Sequence, residues 1–393
     1  MRVLIASDKF KGSATGPEVA AALAGGIRET APDAVVEAVA VADGGEGTID
    51  AAIGAGFEPV TVTVTGPVGD PVPARFAVRD REAVIEMAAA SGLDLVPPGT
   101  NAATTATSRG TGELVRAALD RGCTSIVLGV GGSACTDGGA GMLQALGVRL
   151  WSGTEPVANG GLALAGLTSV DLSGLDPRIA DTSIVLASDV DNPLLGDRGA
   201  AAVFAPQKGA RPEEVAALEA ALARFAELLA PLPGVRAVAD APGAGAAGGV
   251  GYAALAVLAA RRVPGVEVVQ RLTGLADRMA GADLVITGEG SLDTQSLGGK
   301  APLGVAALAR AAGIPVVAVC GRSRLDATQA GTAGFAAVYA LSALEPDRRR
   351  SIANAKALLR RVGQQIGRDS AGLVALGDGG SGPDARGGEF TAP

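Results

Sequence analysis

Histidine is absent from all 393 residues of the chain. That excludes a Ser-His-Asp triad, a Cys-His nucleophile pair and any imidazole metal site. Proton transfer must then fall to carboxylates, lysine, tyrosine or cysteine. The three cysteines, Cys123, Cys135 and Cys320, are widely spaced and form neither a zinc pattern nor a disulfide framework, which suits a reducing compartment. Aromatic residues make up only 3%, so the core must be built from Ala, Val, Leu and Ile. No uninterrupted apolar run of about 18 residues is present, so no membrane span is expected. The opening MRVLIASDKF reads as a short strand and lacks the apolar core of a signal peptide, which points to a cytoplasmic location. Positive charge is also scarce. Net charge is −8, and Arg348-Arg349-Arg350 is too short to make a polybasic site, so nucleic-acid binding is not expected. An anionic substrate would need a local positive site, because the molecule as a whole repels it.

What is present is hydrophobic residue at 48%, enough for a folded core, and a length that suggests two domains at about 100–200 residues each. Val3–Ala6 reads as a strand, Pro17–Glu29 as a helix with proline in its first turn, and Val35–Val41 as a second strand. Residues 60–87 change character. Val60, Val62 and Val64 alternate with threonines, and turn-rich Gly66–Pro73 follows, which predicts antiparallel strands and a domain change near residue 64. Alternation of strand and helix returns at Leu284-Val285-Ile286 and closes with a helix over Ile352–Ile366. From Ala371 on, the glycine-rich and polar sequence predicts a disordered tail.

The 58 glycines fall in clusters, most of them after an apolar run and beside Asp, Glu, Lys or Ser. These are SDKFKGS (7–13), ADGGEGT (42–48), SRGTGE (108–113), GVGGSACTDGG (129–139), SDVDNPL (188–194), GAGAAGG (243–249) and TGEGSLDTQSLGGK (287–300). In open α/β sheets ligands bind beyond the carboxyl ends of strands. Glycine lets backbone N–H groups approach an anion, and helix N-termini add favourable partial charge. Any single loop of this kind is more often an ordinary turn, and a lone Asp at a strand end is as readily a helix cap. Seven on one chain point to a phosphate site. No Walker sequence occurs, because Gly299-Lys300 is followed by Ala301. Gly243, Gly245 and Gly248 do form G-x-G-x-x-G with Glu267 beyond, which leaves a nicotinamide-dependent oxidoreductase open. Against it, the preceding VRAVADAP is a poor strand and Pro242 abuts the first glycine.

Taken together these segments resemble the glycerate kinase family, from about Val3 to Ile366. The most specific pieces are ADGGEGT, DVDNPL with PQKGA (206–210), GAAGG (245–249) and the TGEG segment ending in Gly299-Lys300. The resemblance implies a two-domain α/β fold. A flavodoxin-like parallel α/β domain would comprise residues 1–63 and 283–370, a mixed α/β domain would be inserted as residues 64–282, and residues 371–393 would form the tail. The active site would lie in the cleft between the domains. The implied activity is phosphorylation of D-glycerate by ATP with Mg2+, the 2-position being favoured.

Residue by residue, Asp8, Lys11, Gly12 and Ser13 match one family motif, and Asp43, Glu46 and Thr48 a second. Asp137 matches the aspartate of a third, Asp189 and Asn192 a fourth, and Glu289, Asp293, Gln295, Ser296 and Lys300 the last. The chain departs from the family at Lys9, at Cys135-Thr136, at Ser291 and at Ser108-Arg109, where Arg109 is a candidate carboxylate contact. Phosphoryl transfer is mostly positioning and charge stabilisation. Lys11 and Lys300 are assigned phosphate or carboxylate charge, and Gly131, Gly132 and Ser133 backbone donors. Asp189 is the candidate base or magnesium ligand, with Asp293 and Glu289 as further candidates. A kinase of a related hydroxy or sugar acid and a hinged solute-binding protein stay open beside this reading. As partners, a small-molecule substrate is expected, with neither nucleic acid nor membrane, in a monomer or homodimer.

Overall fold

The computed structural model describes residues 1–293 and 301–375. Numbered along the chain, its strands are β1 (Arg2–Ser7), β2 (Val35–Ala38), β3 (Glu58–Thr65), β4 (Pro71–Arg79), β5 (Glu82–Glu86), β6 (Ser125–Gly129), β7 (Arg149–Ser152), β8 (Glu155–Pro156), β9 (Ser169–Asp171), β10 (Ser183–Ala187), β11 (Arg261–Val263), β12 (Leu284–Leu292), β13 (Val316–Ser323) and β14 (Ala337–Ala340). They divide between two compact units, one made of Met1–Val39 and the chain from Ala276 on, the other of Ala40–Leu275.

In the first unit five strands form a wholly parallel sheet in the order β14-β13-β12-β1-β2. Counted within the unit this is the 2-1-3-4-5 order of flavodoxin-like sheets, whose topological switch point lies between β1 and β12. β1 is buried from Val3 to Ser7, the near-continuous burial expected of a parallel strand covered on both faces. The helix Gly16–Thr30 starts with a capping box between Thr15 and Glu18 and carries Pro17 in its first turn. It packs on the long helix Ala355–Ala375 backbone to backbone. A Cβ at Gly26 would run into the Arg360 carbonyl, and one at Gly363 into the Leu23 carbonyl. Ion pairs of Lys356 with Glu18 and of Arg360 with Glu29 flank this contact.

The second unit holds a six-stranded sheet in the order β11-β10-β6-β5-β4-β3. β5, β6, β10 and β11 are parallel, while β3, β4 and β5 pair antiparallel. A small antiparallel sheet, β8-β7-β9, sits in the same unit. Its core is mainly small aliphatic residues, with Phe225 and Tyr252 edge to face at 6.3 Å between ring centroids. Among the described residues no helix is long and apolar enough to cross a membrane.

The first boundary falls after Val39, not near residue 64. β3 pairs along its whole length with β4, and Ile49, Ala52 and Phe57 pack on Val84, Val127 and Val268, so residues 40–63 belong to the second unit. The second boundary lies at Leu275–Ala276 rather than near residue 283. Residues 371–375, expected in the tail, continue the helix Ala355–Ala375, where Leu373 joins the core of the first unit. The remainder of the expected tail lies outside the described residues.

Candidate functional site

Four parallel strands of the second unit deliver their carboxyl ends to one edge. Glu86 ends β5, Gly129 leads from β6 into Val130–Ser133, Ala187 leads from β10 into Ser188-Asp189, and Val263 leads from β11 into the helix Gly265–Thr273. The Asp43–Gly47 loop lies against this edge at backbone contact. A Cβ at Gly44 would come within 2.8 Å of the Gly265 Cα, and one at Gly131 within 2.7 Å of the Gly45 Cα. The loop is tied down by Glu86, a buried carboxylate that accepts the N–H of Gly47 at 3.0 Å and of Ile49 at 2.7 Å. Glu86 thereby caps the helix Thr48–Gly54, and the Thr48 hydroxyl donates to the Gly45 carbonyl at 2.7 Å.

Asp189 stands at the end of β10. Its Oδ1 accepts the Gly265 N–H at 2.8 Å, the first amide of a helix, while its buried Oδ2 has no hydrogen-bond partner among the described residues. Burial raises the Asp189 carboxyl to about 6, and the charge of Asp43 adds to the rise, against the amides of Gly265 and Val266 and the charge of Arg262. Asp43 in turn accepts the Gly45 N–H at 3.3 Å. A half-buried carboxylate with one committed oxygen and one open oxygen, its pKa raised toward neutrality, is equipped to take a proton.

The Gly131-Gly132-Ser133 turn beside it is pinned from one side by the Leu93 N–H on the Gly132 carbonyl at 2.9 Å and the Ala134 N–H on the Ser91 carbonyl at 2.9 Å. From the other side comes Lys208, 4% exposed, whose Nζ donates to the Ser133 Oγ at 3.0 Å and the Cys135 carbonyl at 2.6 Å. Burial lowers the pKa of this lysine. Lys208 was legible only as part of PQKGA and received no role there; Glu86, within residues 60–87, received none either. The signal for Glu86 is a carboxylate inside a run of buried apolar residues; nothing comparable marks Lys208, whose neighbours Pro206, Gln207 and Gly209 are exposed.

Asp137 is engaged differently. Its Oδ2 accepts the Ser108 N–H at 2.8 Å, the Ser108 hydroxyl at 2.9 Å and the Gly141 N–H at 3.2 Å, and its Oδ1 the Gly139 N–H at 3.1 Å. These bonds hold the starts of the helices Arg109–Asp120 and Ala140–Ala145 together. Arg109 pairs with Glu113 at 3.4 Å, and Asn192 donates to the Arg198 carbonyl at 2.8 Å. Glu46 is exposed on its loop.

In the first unit the switch point brings together the loops that follow β1 and the end of β12. Asp8 donates its N–H to the Gly288 carbonyl at 2.9 Å, and Gly290 lies beside the backbone of Phe10 and Lys11. Lys11 is exposed, and the Ser13 hydroxyl donates to the Phe10 carbonyl at 3.0 Å. Glu289 is buried opposite Cys320, whose thiol is pushed up to about 12 by burial and then by the Glu289 charge. Asp293 is half-buried just past the end of β12. Gln295, Ser296 and Lys300 lie outside the described residues. Of the candidate metal ligands, Asp189 belongs to the second unit and Glu289 and Asp293 to the first. No group of three or more Cys, Asp or Glu side chains placed to hold a metal occurs among the described residues.

The G-x-G-x-x-G segment does not serve a dinucleotide. It follows turns rather than a strand. A Cβ at Gly245 would meet the Pro193 carbonyl and one at Gly248 the Cys135 carbonyl, so protein backbone fills the space a pyrophosphate would need.

Fold and strand-end loops together define an α/β protein with glycine turns and carboxylates where such sheets bind ligands. The model of the glycerate kinase family matches residues 3–371, and the chain belongs to that family. It is 46% identical over 347 residues to the glycerate 2-kinase of Escherichia coli K12, covering 87% of this chain and 90% of the relative. It is 43% identical over 346 residues to the glycerate kinase of Bacillus subtilis 168, covering 87% of this chain and 90% of the relative. The crystal structure of a candidate glycerate kinase 2 from Salmonella typhimurium LT2 is similar with a TM-score of 0.81 at 43% identity, covering 95% of this chain and 98% of that one.

Proposed function

We propose that the enzyme transfers the γ-phosphoryl group of ATP to the 2-hydroxyl of D-glycerate. The observation that carries the mechanism is Asp189, with Oδ1 held by Gly265 and Oδ2 buried without a partner among the described residues. In this reading Oδ2 accepts the proton of the attacking hydroxyl. The hydroxyl oxygen bonds to the γ-phosphorus, the bond from that phosphorus to the bridging oxygen breaks, and ADP leaves with the electron pair. A carboxyl that titrates at about 6 is mostly ionised at neutral pH and still basic enough to take the proton. Backbone N–H groups of Gly131, Gly132 and Ser133 supply donors to anionic oxygens, and Lys11 and Lys300 supply positive charge. Asp8, Ser13, Glu46, Arg109, Asn192, Gln295 and Ser296 stay candidate contacts to substrate or nucleotide.

Magnesium is commonly held by one or two carboxylates together with phosphate oxygens and water. Asp43 fits that role chemically, as does Asp189 in the alternative to its role as base, since the charge of Asp43 raises the cost of charge on Asp189 and a divalent cation would relieve it. Glu289 and Asp293 stay candidate ligands as well. The ion would neutralise charge on the transferring phosphates. The 2-position is supported by the name of the Escherichia coli relative. We take the enzyme to be cytoplasmic, as a monomer or homodimer.

The test is release of ADP from ATP with D-glycerate and, in parallel, with related hydroxy and sugar acids, each with and without magnesium. Magnesium-dependent turnover fastest with D-glycerate is expected. Faster turnover of another acid would reassign the substrate, and tight NADH binding without ADP release would overturn the reading.

A further inference from the structure

Lys208 is 4% exposed and forms no ion pair among the described residues. A buried ammonium is costly unless something rewards it, and here its two acceptors are neutral. One is the Cys135 carbonyl at 2.6 Å, the other the Ser133 Oγ at 3.0 Å. The second bond decides the chemistry. As an ammonium Lys208 only donates, and Ser133 then accepts from it. That commits one lone pair of the hydroxyl and leaves its O–H hydrogen to point elsewhere. No group among the described residues receives that hydrogen, although Ser133 is itself only 8% exposed. The same turn carries Gly131 and Gly132 at the carboxyl end of β6, next to Asp189 at the end of the neighbouring β10.

We propose that Lys208 is a positioning residue that sets Ser133 as a hydrogen-bond donor to an anionic oxygen of the bound ligand. The ammonium acts from behind the turn and polarises the hydroxyl toward the ligand. The ligand chemistry is an oxyanion. Within the proposed phosphoryl transfer, on which this inference rests, two sources carry one: the nucleotide phosphates and the carboxylate of the hydroxy acid. A solvated surface lysine at position 208 could do neither task. A purely structural lysine would clamp the turn without making the Ser133 hydroxyl matter to any ligand.

The experiment uses Ser133→Ala, Ser133→Thr, Lys208→Met and the double variant Ser133→Ala/Lys208→Met. Steady-state KM for ATP and for D-glycerate is measured for each, with kcat. Separately, the rise in Tm caused by ATP alone, D-glycerate alone and inorganic phosphate alone gives a readout that needs no turnover. Ser133→Ala is expected to raise one KM about 10- to 100-fold, the loss of one charge-assisted hydrogen bond, and to shrink the Tm rise for the same ligand. Ser133→Thr keeps the hydroxyl and is expected to retain most binding. Lys208→Met is expected to raise the same KM, and the double variant to add little to Ser133→Ala, because both act through one bond. Loss confined to ATP and phosphate assigns the nucleotide; loss confined to D-glycerate assigns the carboxylate. Wild-type KM and Tm shifts in Ser133→Ala overturn the proposal, as do fully additive effects in the double variant. If Lys208→Met does not fold, the contrast between Ser133→Ala and Ser133→Thr still decides it. A wild-type enzyme without turnover that still binds phosphate or ATP, and loses that binding in Ser133→Ala, overturns the kinase reading and keeps this one. A wild-type protein that binds none of the three overturns this one.

Discussion

Asp189 and Gly265 are joined by a 2.8 Å hydrogen bond from the first amide of the helix Gly265–Thr273 to one carboxylate oxygen. The bond fixes where the second oxygen lies, and that oxygen stays buried with no partner among the described residues. A favourable bond on one side and an unsatisfied acceptor on the other is a poor arrangement for stability and a good one for accepting a proton.

Activity is therefore expected to fall as pH drops through about 6, where Asp189 takes up its proton. Asp189→Asn should lower kcat by about 100- to 10,000-fold and abolish that limb of the profile. The stability effect has the opposite sense. Folding raises this carboxyl above its ordinary value of about 3.9, so between about pH 4 and 6 the folded protein binds the proton more tightly than the unfolded chain. The contribution of this group to stability falls as pH rises across that window. Asp189→Asn should accordingly raise Tm at pH 8 and leave it unchanged at pH 4. A Tm that drops at pH 8 would remove the strained carboxylate from the account.

Glu86 binds the loop Asp43–Gly47 to the sheet through the amides of Gly47 and Ile49. Glu86→Ala leaves two amides unsatisfied and is expected to cost about 1–3 kcal/mol for each one that stays buried. Glu86→Gln keeps an acceptor and should cost less. Urea unfolding distinguishes them, and equal stability of Glu86→Ala and wild type would show that the loop is held by other means.

Asp137 offers a contrast with Asp189. Its oxygens are taken up by Ser108, Gly139 and Gly141. Asp137→Ala should lower Tm strongly, while the fraction that folds keeps KM for both substrates near the wild-type values. A raised KM with unchanged Tm would make Asp137 a ligand contact instead.

Gly363 sits where the helices Gly16–Thr30 and Ala355–Ala375 touch, against the Leu23 carbonyl. Gly363→Ala must push them apart and is expected to destabilise by about 1–3 kcal/mol, as overpacking generally does. Denaturant unfolding with no loss of stability would mean that the contact yields freely.

These residues also show what was legible before the structure. Val60 and Val64 between threonines announced an antiparallel strand, and β3 pairs so with β4. The same alternation misplaced the boundary, because a change of strand type within one sheet reads like a change of domain. The motif around Asp189 was visible as an acid after an apolar run. Its raised pKa was not, since that depends first on burial, which only the fold creates, and then on Asp43, which lies 146 residues earlier in the chain. Lys208 stayed hidden for a related reason. A lysine between Gln207 and Gly209 reads as a surface charge, and only the fold buries it against Ser133.

Proton-coupled 31P NMR of the product formed from D-glycerate, ATP and magnesium tests the central claim most directly. Phosphate on the 2-oxygen couples to a single carbon-bound proton, and on the 3-oxygen to a pair. The account predicts a new phosphomonoester resonance, split into a doublet, growing as ADP appears. A triplet would contradict the assignment to the 2-hydroxyl, and no new phosphomonoester resonance at all would contradict the phosphorylation of glycerate.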